Sequence, residues 1–322
     1  MNAEPLVSII IPTYNRAALV ENAIKAAINQ TYSNKEIFVV DDGSTDDTAT
    51  VVQRYPAVKY ILQEHAGQAT ARNTGLQHSK GIYIASLDSD DEWNPDFIQK
   101  SVHFLEEKKF DFVFVNWNQE TLNGGLTDFF SCDPYLKPHF SKAVDSWVML
   151  SHSELRDIYI KVCPAPSSSL VMRKTSIVAG WNKNMNIADD WCIVLDMIFS
   201  KETKAAFTLE RLWLKHINNN NIFDGRNHIE VNRLLWTEDM GTLLARHHKS
   251  FTKEEHKFFE ERYLEHMVRS AKHSLFLYSD MKESMRLMKH ALKTNPLYAT
   301  KIFSKLFFEA GKRKFTKRNG AL

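Results

Sequence analysis

Short runs of β-branched and aromatic residues alternate with helical apolar spacing through the first third of the chain. Residues 7–11 (VSIII) are such a run, stopped by Pro12, and read as a buried strand. Residues 19–30 place apolar side chains at helical intervals. Residues 36–40 (EIFVV) give a second strand pattern that ends at Asp41, Asp42 and Gly43. Ser44 or Thr45 can cap a helix beginning with Asp46 and Asp47, acids suited to its positive end. A third strand pattern occupies 58–62, and Gly67 opens a helical stretch, QATARNTGLQHS. Residues 82–87 (IYIASL) form a fourth, 95–107 the next helix, and 110–117 (FDFVFVNW) a fifth strand. This alternation predicts an α/β fold with a parallel sheet and right-handed crossovers.

After Trp117 the pattern changes. Residues 118–165 show no period and are punctuated by Pro134, Pro138 and Pro164. Residues 167–173 (SSSLVMR) suggest a strand and 188–200 (ADDWCIVLDMIFS) an acid-capped helix. AAFTL and RLWLKH suggest two more short strands. From about Asn227 the chain reads as helical, with breaks near Ser250, Asp280 and Pro296. Three regions follow: 1–117, 118–226 and 227–322.

Ligands of such sheets bind at the carboxyl ends of the strands. Tyr14 and Asn15 follow the first strand, Asp41 and Asp42 the second, and Asp88, Asp90 and Asp91 the fourth. Arg72 lies in the helix after the third. Asp88 and Asp90, two residues apart at a turn, can aim two carboxylates at one point. Hard oxygen ligands select Mg²⁺ or Mn²⁺, and Mg²⁺ is typically shared between carboxylates and phosphates. A polar turn leading into a helix is the plainer reading of DSDDEWNPD, and Asp96 fits it. Helix capping explains Ser44, Asp46 and Asp47 but not two acids at a strand end, where a carboxylate can accept from a base or from ribose hydroxyls. Tyr14 offers a face for a base, or is simply a half-buried tyrosine. Neither G-x-G-x-x-G nor G-x-x-x-x-G-K-[ST] follows the first strand, so dinucleotide and P-loop sites are not indicated.

The segments VSIIIPTYNR, NQTYSNKEIFVVDDGSTDDT, AGQATARNTGL and GIYIASLDSDDEWNPDFI stand in an order, completed by ADDWCIVLDM and WLKH, that resembles the inverting GT-A-type glycosyltransferases of family two. The resemblance is dense over the first 117 residues, thinner to about 225 and absent beyond. It implies a GT-A fold and a nucleoside-diphosphate-sugar donor, expected to be UDP-linked. It also implies Mn²⁺ or Mg²⁺, and transfer with inversion to a glycan or lipid-linked saccharide. Residues 1–117 would be the nucleotide-sugar half, 118–226 the acceptor and catalytic-base half, and 227–322 a helical extension. Carried over by position, Pro12, Thr13 and Tyr14 line the base pocket. Asp42, with Asp41 beside it, holds the base or ribose, and Arg72 approaches the diphosphate. Arg16 and Ser89 fall in the same matched segments and are placed with the donor. Asp88 and Asp90 match the D-x-D motif, Asp90 as metal ligand and Asp88 both near the metal and near the ribose. His216 matches a histidine near the metal or diphosphate; a surface histidine is the plain alternative. An inverting transfer needs a carboxylate base. Asp190 is the choice, with Asp189 standing where the family has Glu. Trp181 and Trp191 could stack on sugars or belong to the core, and Cys192 reads as core packing.

Composition narrows the picture only slightly. The 322 residues are 43% hydrophobic and 25% charged, with a net charge of +2, which gives no signal for nucleic acid. Three scattered cysteines lack metal spacing and suit a reducing cytoplasm. The N-terminus lacks a basic-then-apolar leader, and no apolar run approaches the ~20 residues that span a bilayer. The basic C-terminal sequence GKRKFTKRNGAL, near Phe303, Phe307 and Phe308, is compatible with peripheral contact on the cytoplasmic membrane face, or with a solvated tail. The helical region could equally cover the acceptor groove or form a homodimer. A sugar-nucleotide pyrophosphorylase would need a glycine-rich basic loop that PTYNRAALV does not supply. Intact Asp42, Asp88, Asp90 and Asp190 argue against a degenerate binding scaffold.

Overall fold

A computed structural model describes residues 4–121, 123–217 and 226–306 of the chain. Strand β1 (Val7–Thr13) pairs in parallel with β2 (Lys35–Asp41) on one side and β4 (Tyr83–Ser86) on the other. β3 (Val58–Leu62) extends the parallel array beyond β2. Helices α1 (Val20–Ile28), α2 (Thr48–Val52) and α3 (Gln68–His78) make the crossovers. Both faces of β1 are covered, so Val7, Ile9, Ile10 and Ile11 are wholly buried. That double burial is why the run is continuously apolar rather than alternating.

The mainly parallel sheet expected from the sequence is present, and beyond its first half the pairing becomes mixed. The sheet has ten strands, running β3-β2-β1-β4-β9-β6-β10-β5, with β7 beside β6 and β8 beside β10. The later elements are β5 (Asp91–Trp93), α4 (Phe97–Lys108), β6 (Phe112–Glu120), β7 (Leu126–Asp128), β8 (Trp147–Leu150), α5 (His152–Lys161), β9 (Leu170–Arg173), α6 (Asp189–Ser200) and β10 (Ala205–Lys215). β9 is antiparallel to both β4 and β6, and β5 and β8 are antiparallel to β10. AAFTL and RLWLKH, expected as two strands, are one. β10 stays paired with β6 through register shifts between Thr208 and Trp213, and the bulge interrupts the alternation that a single strand would show.

Three further expectations change. Residues 118–165 are not irregular throughout: they contain β7, β8 and α5. α5 opens with a capping box in which Ser151 Oγ accepts from Glu154 N at 3.3 Å and Glu154 Oε2 from Ser151 N at 3.0 Å. DEW is a strand rather than a helix start, and α4 begins four residues later. Ser44 and Thr45 do not cap α2. They bind Asn15, whereas Asp46 accepts from Thr48 N at 3.0 Å and from Ala17 N at 3.0 Å.

The chain divides into two units, Met1–Asn184 with Asp189–Asn218, and Met185–Ala188 with Asn219–Leu322. The second is helical. It contains α7 (His228–Val231), a π-helical stretch Asn232–Asp239, α8 (Met240–His247), α9 (Lys253–Leu277) and α10 (Met281–Thr294). Buried Asp239 ties Met185–Ala188 into this unit by accepting from the N–H groups of Asn186, Ile187 and Ala188 at 2.7–2.9 Å. Thr252 and Asp280 cap α9 and α10, so the breaks expected near Ser250 and Asp280 fall at helix junctions.

α3 lies very close to β1. A Cβ on Gly75 would sit 2.5 Å from Ile10 Cγ2, in a core with no exposed surface at Ile10. Gly75→Ala should therefore destabilise the protein by roughly 1–3 kcal/mol through overpacking, although alanine favours helix. Urea denaturation checks this: the midpoint should fall with the slope unchanged.

Candidate active site

The carboxyl ends of β1, β2 and β4 gather the polar residues singled out in the sequence. At their centre is Arg72, one helical turn into α3 and 3% exposed. Its Nη2 donates to Asp88 Oδ1 at 2.6 Å and its Nη1 to Asp189 Oδ2 at 2.5 Å. Asp189 is 2% exposed, and its other oxygen accepts from Gln68 Nε2 at 3.2 Å. Burial alone would disfavour the guanidinium charge, but Asp88 and Asp189 hold the proton firmly and the net shift is upward. Asp189 moves up as well, because burial outweighs the pull of Arg72.

The turn after β4 holds the other acids. Asp90 accepts from Arg16 Nη1 at 2.6 Å, so each D-x-D carboxylate faces its own arginine. Asp91 is buried, and Ser168 Oγ donates to its Oδ2 at 2.7 Å while accepting from Asp88 N at 3.1 Å. Asp91 Oδ1 has no hydrogen-bond partner. Burial first, then the charges of Asp88 and Asp90, drive its pKa well up. Ser89 is buried in the same turn. The floor beneath these acids is the Ser167–Ser169 turn, which also accepts Trp93 Nε1 at Ser168 O.

On the other side of β1, Pro12 and Thr13 are buried, and Thr13 Oγ1 has no partner. Tyr14 is 41% exposed and stacks on His65, with ring centroids 4.1 Å apart. Asp41 is wholly engaged internally, accepting from Ser44 N at 2.8 Å and Tyr60 OH at 2.7 Å. Asp42 organises the loop that opens α3. Its Oδ1 accepts from Gln63 Nε2 and Ala66 N, and its Oδ2 from Gly67 N at 2.7 Å and from the His65 ring at 2.9 Å. Gly67 has φ +91°, a backbone that only glycine adopts without strain.

Asp190 stands at the start of α6 beside Asp189. Trp191 N donates to its Oδ1 at 2.7 Å. Burial and the neighbouring Asp189 charge push its pKa up to about 7, against the pull of Arg72. His216 follows β10. Its Nδ1 lies 2.9 Å from Glu120 and its Nε2 3.1 Å from Glu92. Burial would lower its pKa, but those two acids turn the net shift upward. Among the described residues His216 does not join Asp88 and Asp90 in a set of ligand atoms within 4.8 Å of one another. Trp181 and Trp191 are buried. Their indole N–H groups donate to Ser167 Oγ and Tyr159 O, so the core reading of both holds and the sugar-stacking one does not. Cys192 is fully buried, as expected.

Gln68, His65 and Ser168 were not singled out in the sequence. Only the three consecutive serines after Pro166 offered a signal, and they read as the start of a strand. The acids of this turn offer the oxygen donors that a hard divalent cation takes, but among the described residues Asp88, Asp90 and Asp91 do not bring their ligand atoms within 4.8 Å of one another as a set. The donor set is all oxygen, Asp91 Oδ1 is an unpartnered buried carboxylate oxygen, and the crowded charges already raise one pKa.

Residues 8–148 match the family described as "Glycosyl transferase family 2". The fold is that of the GT-A glycosyltransferases. Among curated relatives, TuaG of Bacillus subtilis (strain 168), named for teichuronic acid biosynthesis, is 35% identical over 134 residues, 40% of this chain and 53% of TuaG. The UDP-Glc:alpha-D-GlcNAc-diphosphoundecaprenol beta-1,3-glucosyltransferase WfaP of Escherichia coli is 39% identical over 132 residues, 40% of this chain and 52% of WfaP. The chain thus spans about half the length of these relatives. Among solved structures, S. aureus TarS 1–349 in complex with UDP-GlcNAc superposes with a TM-score of 0.61 at 16% identity, over 89% of this chain and 81% of that one. The mannosyltransferase PcManGT from Pyrobaculum calidifontis, in complex with GDP-Man and Mn²⁺, gives 0.55 at 17%, over 98% and 84%.

Arg72→Met should expose the cost of this arrangement. It strands Asp189, buried and ionised, so a loss of about 3–5 kcal/mol is expected at alkaline pH. A carboxylate whose folded pKa is raised destabilises the fold only once it ionises, so the loss should shrink as pH falls and Asp189 takes up a proton. Chemical denaturation across the pH range is the measurement.

Proposed function

We propose that the chain transfers a sugar from a nucleoside diphosphate sugar, UDP-linked by preference, to a hydroxyl of a glycan or lipid-linked saccharide, with inversion. The observation that carries this reading is the bridge from Asp88 through Arg72 to Asp189, with Asp190 next in sequence. In that reading a diphosphate-side acid and an acceptor-side acid stand about one guanidinium apart. TarS, solved with UDP-GlcNAc, supports a UDP donor, and the name of WfaP supports a lipid-diphosphate acceptor. PcManGT, solved with GDP-Man, keeps the choice of base a matter for experiment.

In this reading Pro12, Thr13 and Tyr14 form the wall of the base site, and Asp42 acts by holding the 63–67 loop against it. His65, stacked on Tyr14, completes that wall. Asp41 shapes the β2 end. Asp88 and Asp90 would hold Mn²⁺ or Mg²⁺, which when bound supplies Lewis-acid stabilisation of the leaving diphosphate. His216 is left out of that set. Arg16 and Arg72 balance the two carboxylates, and Arg16, the less buried of the two, would be the one to meet phosphate oxygens, which suit a guanidinium fork. Asp190 takes the acceptor proton, and Asp189, fixed by Arg72 and Gln68, holds its neighbour in place. The basic sequence 311–322 lies outside the described residues.

Two experiments test the reading. Chelator should abolish transfer from the nucleotide sugar, and Mn²⁺ or Mg²⁺ should restore it; full turnover in excess EDTA would sink the cation assignment. Asp190→Asn should lower kcat by roughly 10²-fold or more while donor affinity, read by calorimetry, stays within about twofold. A base works only when deprotonated, so the wild-type rate should climb as pH rises through about 7 and then level off, a limb that Asp190→Asn should lack. A dead Asp189→Asn beside an active Asp190→Asn would move the base by one residue.

A further inference from the structure

Among its described residues the second unit carries an apolar surface that is left exposed. α10 buries Leu287 and Ala291. Along a neighbouring line of the same helix stand Met281, Met285, Met288 and Leu292, four, three and four residues apart and therefore on one face. Met281, Met285 and Leu292 are between 42 and 61% exposed, and Met288 is half-buried. Leu277 and Tyr278, at the turn from α9 into α10, are 57 and 60% exposed. Isolated exposed apolar side chains are ordinary; a stripe joined to an apolar turn marks an interaction surface.

The charges beside the stripe indicate what it meets. Lys282, Lys289 and Lys293 are exposed and, at these spacings, line one flank of the stripe. None forms an ion pair among the described residues. By contrast, Arg286, further round the helix, is neutralised by two hydrogen bonds from its guanidinium to Glu283, at 2.6 and 2.7 Å. An apolar line edged by unneutralised lysines matches a surface that is apolar below and anionic above. No helix among the described residues is long and apolar enough to cross a membrane, so the contact is one of lying on it. We infer that α10 and the turn before it dock on an anionic lipid surface, with the Met281–Leu292 stripe entering the headgroup boundary and the three lysines facing lipid phosphates.

Vesicle flotation of the full chain tests this, using phosphatidylglycerol mixed with phosphatidylcholine against phosphatidylcholine alone. The wild type should float with the anionic vesicles, and added salt should weaken it. Met285→Ser/Leu292→Ser and Lys289→Glu/Lys293→Glu should each weaken that binding by about tenfold or more, with circular dichroism unchanged because all four positions are exposed. Binding that survives both variants, or that is lost only on deleting 311–322, overturns the assignment to α10. Absence of vesicle binding, with a dimer in sedimentation velocity that Met285→Ser/Leu292→Ser dissolves, overturns it in favour of a second copy of the chain.

Discussion

The buried guanidinium of Arg72 is the constraint on which the rim depends. A charge this far from water is tolerable only with partners, and its partners lie 16 and 117 residues away in sequence. The β4 turn, α3 and the start of α6 must therefore come together for any of them to be stable in place. α3 is built for that junction. Gly75 lets its backbone settle on Ile10, Asn73 exchanges two hydrogen bonds with the Trp181 backbone at 2.7 and 2.9 Å, and Gln68 joins Arg72 at Asp189. The low apolar content of α3 follows: its residues are spent on polar partners and on close approach rather than on a greasy face.

Charge bookkeeping around that junction explains the shifted acids. Asp88, Asp90, Asp91, Asp189 and Asp190 face Arg16 and Arg72. Lys215 adds its charge beside Asp91, and five carboxylates against three cations still leave an excess of negative charge in a poorly hydrated place. The protein relieves it by raising the affinity of Asp91, Asp189 and Asp190 for protons, each first through burial and then through its neighbours. A divalent cation would relieve the same excess without protonating a base, which in the proposed reading would be a physical reason for cation and base to share one rim.

The first half of the fold was legible because strands buried on both faces write themselves as unbroken β-branched runs, and their carboxyl ends as polar punctuation. Beyond Trp117 that rule fails. β7, β8 and β9 are short and pair antiparallel, the long β10 carries a bulge, and α5 announces itself only through Ser151 and Glu154. Within the site, the acids and Arg72 could be found from motif order. Their partners could not, since Ser168 reaches Asp91 across 77 residues and Gln68 reaches Asp189 across 121. Asp42 shows the limit of reading a residue alone. Its position at a strand end was visible, but its four donors come from a loop more than twenty residues on, so its carboxylate acts first as a structural anchor.

The choice between Asp189 and Asp190 as base turns on how many lone pairs each has to spare. Asp189 gives one oxygen to Arg72 and the other to Gln68, and it is almost wholly buried. A carboxylate so held is a poor proton acceptor for an incoming hydroxyl, because accepting would break the ion pair that keeps Arg72 buried. Asp190 uses Oδ1 for Trp191 N, with Cys163 Sγ at 3.9 Å from the same atom, and its Oδ2 takes no hydrogen bond among the described residues. It also has the pKa near neutrality that lets a base be ionised yet still hold a proton. The shortened acid at 189, where the resemblance expects Glu, thus fits a residue that reaches sideways to α3, and in the proposed reading its neighbour faces the acceptor.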